Sequence, residues 1–589
     1  MKKHFPFAWL LLCAIVGVAQ QPVAQLPQTY IDTTFNLPTG VTWAAHTSTS
    51  FQSALNSASP GDTIVLDAGV TYKGNFTLPV KLNPNNKWIY IVGSALSSLP
   101  APGTRVVPAT DAANMPKLVS TGTTSVITIR PGANHYRLAG LEITTASTQG
   151  GSTAQNPYTT VLVNAMSSAG NPLVDSITID RCYIHASPTI DAREGFAMNA
   201  SNVAIVDSYV SDIHQSVNDS QAVVAWDTPG PMKIVNNYLE STGENIMFGG
   251  AGGLNHPWVP SDIEIRGNYL FKPLSWVPLT TGPYASRKWV VKNLFEIKSA
   301  QRVLIDGNVM ENNWVSGQNG FAIALTVRTV SSGVLAVVDD INFTNNIVKN
   351  VASGFTTLAK DDQCKPANGC TNPGEMKRVV IDNNLILLGA TSQPGYEAGY
   401  GKSLVWGALI NWGLVDFVFQ HNTVVPPPDM GYCTNSLYFE MSGSGPSTPP
   451  VSRSKNLWVL DNVLCRQIWG PFGHIGETPY VFTDYMGDPA PPEPRLMGNV
   501  FYAPKGDKAF QLPPHNFVST VPFTYVNPSS GNYQLSVPTW TDTSDGRISG
   551  VDSSAVSAAI RPNAPSTGKG SGVGSPPPPL PAIPTTPRK

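Results

Sequence analysis

The sequence predicts an all-β chain, a single-stranded right-handed parallel β-helix with an N-terminal capping helix, on three observations. One phrase returns along the chain from about Ser125: a short apolar-alternating strand, a polar turn, then an Asn followed by two apolar residues. Self-similarity at such a period marks stacked repeats that bury a shared core. The 51 Gly and 52 Pro among 589 residues describe a chain dense in turns and poor in long amphipathic helices. Regular Asn-Gly hairpin signals and four-strand repeats are both missing from the phrase, which argues against sandwiches and propellers.

The chain opens with Lys2 and Lys3, an apolar stretch from Phe7 to Val18, and the small-residue exit Gly17-Val18-Ala19. This is the order of a secretory signal peptide, residues 1–19, with cleavage expected after Ala19. Leu12 stands where a lipoprotein signal needs a small residue before Cys13. The stretch is too short to span a bilayer and no later window reaches the required run. The mature chain is therefore expected to be secreted, extracellular or periplasmic, with no membrane span. A formal charge of -2 and a charged fraction of 13% supply no field for nucleic acid or anionic lipid.

The β-helix domain is expected over residues 20–548. Its entry segment, 49–72, places Phe51, Ala54, Leu55 and Ala58 on one helical face ahead of Pro60-Gly61-Asp62 and the strand 63–66, as a helix covering the first coil would. The coils then read Cys182-Tyr183-Ile184, Ser208-Tyr209-Val210, Asn237-Tyr238-Leu239, Asn268-Tyr269-Leu270, Asn308-Val309-Met310, Asn346-Ile347-Val348, Asn384-Leu385-Ile386, Asn422-Thr423-Val424, Asn462-Val463-Leu464 and Asn499-Val500-Phe501. From Cys182 to Asn422 the steps are 26, 29, 31, 40, 38, 38 and 38 residues, a regular coil with loops of varying length. Stacked Asn amides can donate and accept along a ladder, so the repeated Asn is read as structural. A long insertion is expected at 256–292, and a Pro-rich disordered tail at 549–589, where alternation ends. Five Cys remain after the signal. Cys364 with Cys370 and Cys433 with Cys465 are the expected disulfides in an oxidising compartment, leaving Cys182 as a buried thiol.

The stretch richest in chemistry runs from Glu240 to Arg328. If Phe295 and Ile297 point inward, Glu296 and Lys298 point outward, and the same alternation through Phe321, Ile323, Leu325 and Val327 turns Arg328 outward. One coil earlier, burial of Ile246 and Phe248 puts Asn245 on that side. Breaking a uronate glycoside by β-elimination needs a base for the proton beside the carboxylate and positive charge for the anion that forms. Lys298 is the candidate base, Arg328 the cation, and Glu296 the assisting acid. Glu244, Asn245 and Glu296 are the candidate oxygen ligands for Ca²⁺, the candidate cofactor. The competing reading of an outward Glu-x-Lys pair is a solvated surface pair worth under about 1 kcal/mol. Trp258, Tyr284, Trp289 and Trp314 are candidates for stacking on sugar faces, with packing of the insertion as the alternative. Arg302 is expected against the coil wall. His185, Asp191, Arg193 and Glu194, then Asp207, Asp212, His214 and Asp219, and also Lys360-Asp361-Asp362, are secondary clusters whose ordinary role is turn formation.

The run from Asn236 to about Val425 resembles a group of bacterial secreted right-handed β-helix proteins carrying Gly-Glu-Asn-Ile-x-Phe-Gly-Gly and Lys-Asn-Leu-Phe-Glu-x-Lys segments, here Gly243 to Gly250 and Lys292 to Lys298. The entry from Phe51 to Tyr72 resembles that of pectate-lyase-like proteins of the same fold. These resemblances imply fold and secretion. Glu296, Lys298-Ser299, Asn308 and Arg328 also stand in the order of the acid, Lys-Ser, Asn turn and Arg of the alginate lyase/chondroitinase B family. The acid-to-Lys gap is shorter here, and Thr329-Val330 replaces the family's His-Gly. The expectation is a secreted polysaccharide-active protein, a lyase of uronate-containing glycans, with an acidic polysaccharide as partner. The alternatives are a noncatalytic glycan-binding or surface/matrix protein, and a glycoside hydrolase or uronate epimerase on the same fold.

Overall fold

The computed structural model describes residues 21–121, 124–146, 161–166, 172–188, 190–226, 228–250, 258–277, 289–328, 336–361, 364, 374–390, 406–411, 413–433, 435–440, 454–465, 495–503, 514–536, 540 and 542–560. The signal segment, Tyr284, Cys370, Thr329-Val330 and everything beyond residue 560 lie outside them.

Three parallel sheets run the length of the chain, two of 14 strands and one of 11. Sheet I begins at Thr42–Ala45 and ends at Leu496–Met497, sheet II runs from Thr71–Lys73 to Phe517–Ser519, and sheet III from Phe76–Leu78 to Asn435–Glu440. From Thr63–Leu66 to Asn435–Glu440 the described strands visit I, II and III in turn, each pairing in parallel with a strand of a neighbouring turn. Ile263 of Ser261–Arg266, for example, aligns with Val303 of Ala300–Asp306, which aligns with Ile341 of Val338–Thr344. The chain is a right-handed parallel β-helix, the hand that right-twisted parallel strands impose. Inside, aromatic side chains meet edge-on or tilted: Phe295 lies 6.4 Å from Phe248 and 6.5 Å from Phe343, and Phe343 lies 4.9 Å from Phe355.

The repeated Asn forms the ladder expected of it. Asn308 Nδ2 donates to Asn346 Oδ1 at 3.0 Å and to the Ile265 carbonyl at 3.0 Å, while its backbone N–H donates to the same Asn346 oxygen at 2.9 Å. The pattern recurs from Asn237 through Asn268, Asn308, Asn346, Asn384, Asn422 and Asn462 to Asn499. Just before the ladder the backbone turns left-handed. Asp207, Asn236, Gly267, Gly307, Asn345, Asn383, His421, Asp461 and Gly498 have φ between 50° and 69°, a region that Gly, Asn and Asp enter at least cost. The phrase is thus a left-handed residue plus a ladder residue, turning the chain from sheet I into sheet II.

A second left-handed column opens the sheet I strands, at Asp262, Arg302, Asp340, Arg378, Asp416 and Asn456. Its side chains pair across coils. Arg302 takes Asp262 at 2.7 and 3.0 Å, and Arg378 takes Asp340 at 2.7 and 2.8 Å. Arg302 is therefore a wall residue, held by a carboxylate one coil away.

Two outer faces are overlaid by chain. The N-terminal segment 21–40 runs back along sheet I. Gln21 meets Gln420, the backbone N–H of Gln25 and Gln28 donate to Asp340 and Asp262 at 3.0 and 2.9 Å, and Arg137 donates to the Thr33 and Thr34 carbonyls. Over sheet II, Arg105 donates to the Asn236 and Gly267 carbonyls, and Leu99, Val106 and Met115 pack on Tyr183. The helix Ser48–Ser57 is N-capped by Thr47 and buries Phe51, Ala54 and Leu55 in the core at the end where the sheets begin.

The boundary at Ser549 requires correction. Residues 549–560 fold back on sheet II: the Val551 N–H donates to Thr423 Oγ1 at 2.8 Å, Asp552 caps the helix Ser553–Ala559, and Val551 and Val556 pack on Leu385. Ser and Ala in this helix carry too little apolar periodicity to show from sequence. Cys433 and Cys465 are bridged, Cys364 is disulfide-bonded, and Cys182 is free and buried under the ladder. No described helix is long and apolar enough to cross a membrane.

Candidate functional site

On sheet III the first residues of three successive strands align: Glu194, Gln221 and Glu244. The next strand, Phe295–Ile297, places Glu296 beside Met247. Glu244 is fully buried and Glu296 is 3% exposed, so neither is the solvated residue that the surface-pair reading requires. Gln221 Nε2 donates to Glu244 Oε2 at 2.6 Å. Lys292 Nζ stands 3.6 Å from Glu244 Oε1 and also pairs with Asp219. Lys298 Nζ stands 3.4 Å from Glu296 Oε2 and 3.7 Å from the Met247 sulfur.

The two carboxyls lie close enough for each to shift the other's titration. Their environments pull them apart. Burial, partly offset by Lys298 and reinforced by the Glu244 charge, pushes the Glu296 carboxyl up to about 7. Burial acts on Glu244 as well, but Lys292 and Lys298 outweigh it and hold that carboxyl below its ordinary value. Lys292, despite burial, is pushed up by Glu244 and Asp219. At neutral pH Glu296 is therefore close to half-protonated. Farther up the column, burial also raises Glu194 to about 7, opposed by Arg193 at 3.1 Å.

Glu296, Lys298 and Glu244 are thus brought together. Arg328 arrives one coil later, its N–H donating to the Lys298 carbonyl at 3.1 Å, and it is exposed. Asn245 is not part of this face. The N–H groups of both Asn245 and Ile246 donate to the Leu294 carbonyl, at 3.1 and 3.3 Å, and it is Glu244 that meets Gln221 and Lys292 instead. The Asn245 amide bonds inside the coil, donating to the Leu239 and Phe271 carbonyls and accepting from the fully buried Lys272. Lys272 also donates to the carbonyls of Ser241, Thr242 and Gly243, and burial lowers it to about 7.

These residues do not fit the Ca²⁺ ion expected here. That ion takes about 6–8 oxygen ligands, and the loss of Asn245 leaves two carboxyls. The described partners of that pair, Gln221 Nε2, Lys292 Nζ and Lys298 Nζ, present N–H groups in place of oxygen donors.

Trp289 and Trp314 are not at a groove rim. They are 3% and 2% exposed, clustered with Trp276, Val277 and Val291, and Trp289 lies 3.8 Å from the ring of buried His214. Packing of the insertion explains both. Trp258 is half-buried. Among the secondary clusters, His185 pairs with Glu142 at 2.8 Å, Asp191 accepts from Ser216 at 2.7 Å, and Asp207 accepts from Gly103 and Asn236. Lys360 pairs with Glu375 at 3.3 Å.

Sequence reasoning missed Lys292, Gln221 and the partnership of Asp219. Lys292 opens the Lys-Asn-Leu-Phe-Glu-x-Lys segment, and that position was the available signal. It also missed a His421, Asp461 and Asp545 group whose ligand-type atoms lie within 4.8 Å of one another. His421 Nε2 is 3.2 Å from Asp545 and 3.6 Å from Asp461. Arg547 and Ser544 also hold these carboxylates, tying the C-terminal segment to the coil turns.

No family model and no curated protein matches the chain. Solved structures do. The PL6 family alginate lyase AlyGC is 14% identical at a TM-score of 0.45, over 87% of this chain and 56% of that one, so this chain spans little more than half of its length. A mannuronic acid specific polysaccharide family 6 lyase from human gut microbiota is 12% identical at 0.42, over 82% and 92%. The family 28 exopolygalacturonase of Yersinia enterocolitica is 13% identical at 0.34, over 72% of both chains. All are right-handed parallel β-helix proteins. Likeness this distant adds nothing about the reaction, and the architecture rests on the three sheets themselves.

Proposed function

We propose that the protein is a secreted lyase of uronate-containing glycans, acting by β-elimination at the sheet III face. The observation that carries this reading is that the buried carboxyls Glu244 and Glu296 each stand beside a lysine, with Glu296 held up at about 7. A carboxyl poised near the working pH is what proton transfer asks for. The base role passes from Lys298 to its partner, because the ammonium of Lys298 is committed to the Glu296 charge. Glu296 takes the proton beside the uronate carboxylate while Lys298 and the exposed Arg328 balance the charge building on that carboxylate. The electrons of the broken C–H bond form the double bond of the unsaturated uronate, the pair of the neighbouring C–O bond leaves on the glycosidic oxygen, and that oxygen takes up the proton that Glu296 has accepted.

The test is ultraviolet absorbance of unsaturated product from alginate, pectate and chondroitin. A rise that disappears in Glu296→Gln and Lys298→Ala supports the reading, with the rate increasing as pH climbs through about 7. Absence of product from every polymer, with the chain folded, sinks the lyase and leaves glycan binding.

A further inference from the structure

We infer that Lys292 and Lys298 are built-in counter-ions that occupy the electrostatic place of a divalent cation, so that the sheet III site works without Ca²⁺. The chemical role given to the lysines rests on the lyase reading; their exclusion of the metal does not. Two carboxyls buried on adjacent coils are an anionic site that something must neutralise, since like charges in a low-dielectric setting cannot both persist unaided. Bound metal is one solution and paired ammonium groups are another. Here the second is visible in the ion pairs: Lys292 stands 3.6 Å from Glu244, and Lys298 stands 3.4 Å from Glu296.

Neither lysine is free to swing away and yield to an ion. Lys292 is anchored at both ends. Its N–H donates to the Thr242 carbonyl at 3.1 Å, and its Nζ is shared between Glu244 and Asp219. Lys298 follows directly on the strand Phe295–Ile297, with its N–H on the Phe248 carbonyl at 2.8 Å, and its stem fills the space over Gly250, where an added Cβ would meet Lys298 Cδ at 2.7 Å. Gln221 turns its amide nitrogen toward Glu244. A Ca²⁺ ion entering here would have to displace both lysine Nζ groups from their buried partners.

The experiment is calorimetric Ca²⁺ titration of the full chain, read beside the shift of Tm on adding Ca²⁺. It is run in a His421→Ala background, so that the group formed with Asp461 and Asp545 does not obscure the result. The expected result is no Ca²⁺ binding that responds to Glu244→Gln, and a new Ca²⁺ site with a raised Tm in the Lys292→Met/Lys298→Met double variant, abolished when Glu244→Gln is added. Binding to the parent chain that Glu244→Gln removes overturns the inference, and that arm needs no lysine variant to fold. A folded double variant that gains no Ca²⁺ affinity overturns it equally. An inactive protein showing the expected binding pattern counts against the lyase and leaves the counter-ions standing.

Discussion

Two lines of buried polar side chains climb this β-helix, and they differ in what each member finds beside it. In the ladder from Asn237 to Asn499 every amide meets the oxygen of the next coil's amide at 2.9–3.2 Å. The groups are neutral and self-complementary, so adding coils repeats one solution without accumulating charge. On sheet III the column Glu194, Gln221 and Glu244, continued by Glu296, sets carboxyls next to one another and calls in Arg193, Lys292 and Lys298 to compensate. Repetition of a satisfied group marks architecture. A break in repetition that leaves carboxyls near neutrality marks chemistry.

The largest effect that would sharpen this contrast is on turnover. Glu296→Gln keeps shape and burial but removes the titrating group, and the unsaturated product should form about 10²–10⁴-fold more slowly, with far-ultraviolet circular dichroism unchanged. A comparable loss from Asn346→Ala without unfolding would erase the distinction between the two columns. That ladder variant should instead act on stability. It strips the acceptor from the Asn308 backbone N–H and from Asn308 Nδ2, at about 1–3 kcal/mol for each buried donor left alone, measured by denaturant unfolding.

A smaller effect follows from linkage. Glu296 is raised in the fold, so between its ordinary value and about 7 the native state holds a proton that the unfolded chain has released. Stability should therefore fall as pH rises through that window, and Glu296→Gln should flatten the slope by up to about 1.4 kcal/mol per pH unit. Glu194 contributes with the same sign, so Glu194→Gln should flatten it further. A steeper slope in either variant contradicts the assignment. The least effect belongs to Arg302→Ala. Its pair with Asp262 is partly exposed on sheet I, and its loss should cost under about 1 kcal/mol and leave any activity intact.

The coil phrase made the fold legible, because a ladder needs the same residue at the same place on every turn. The charged face was legible only as far as strict alternation held. Glu296 and Lys298 were placed together, but Glu244 stands there in place of Asn245, and the Leu294 carbonyl shared by the Asn245 and Ile246 N–H groups leaves no mark in composition. Lys292 and Gln221 come from the edges of loops, where spacing does not fix direction. Trp289 and Trp314 show the same limit, since an indole near an insertion packs or projects according to partners such as His214 that lie far off in sequence.

The segment 21–40 bears on how such a stack comes apart. A solenoid held only by neighbouring turns frays from its ends, each turn leaving on its own. Here a single extended thread touches Gln420 near one end, Asp340 and Asp262 along the way, and Arg137 near the other. Pulling loose a turn that holds Asp262, Asp340 or Gln420 must also unzip part of this thread, so those distant turns share a common fate and meet force or a protease as one span of rope instead of as separate links.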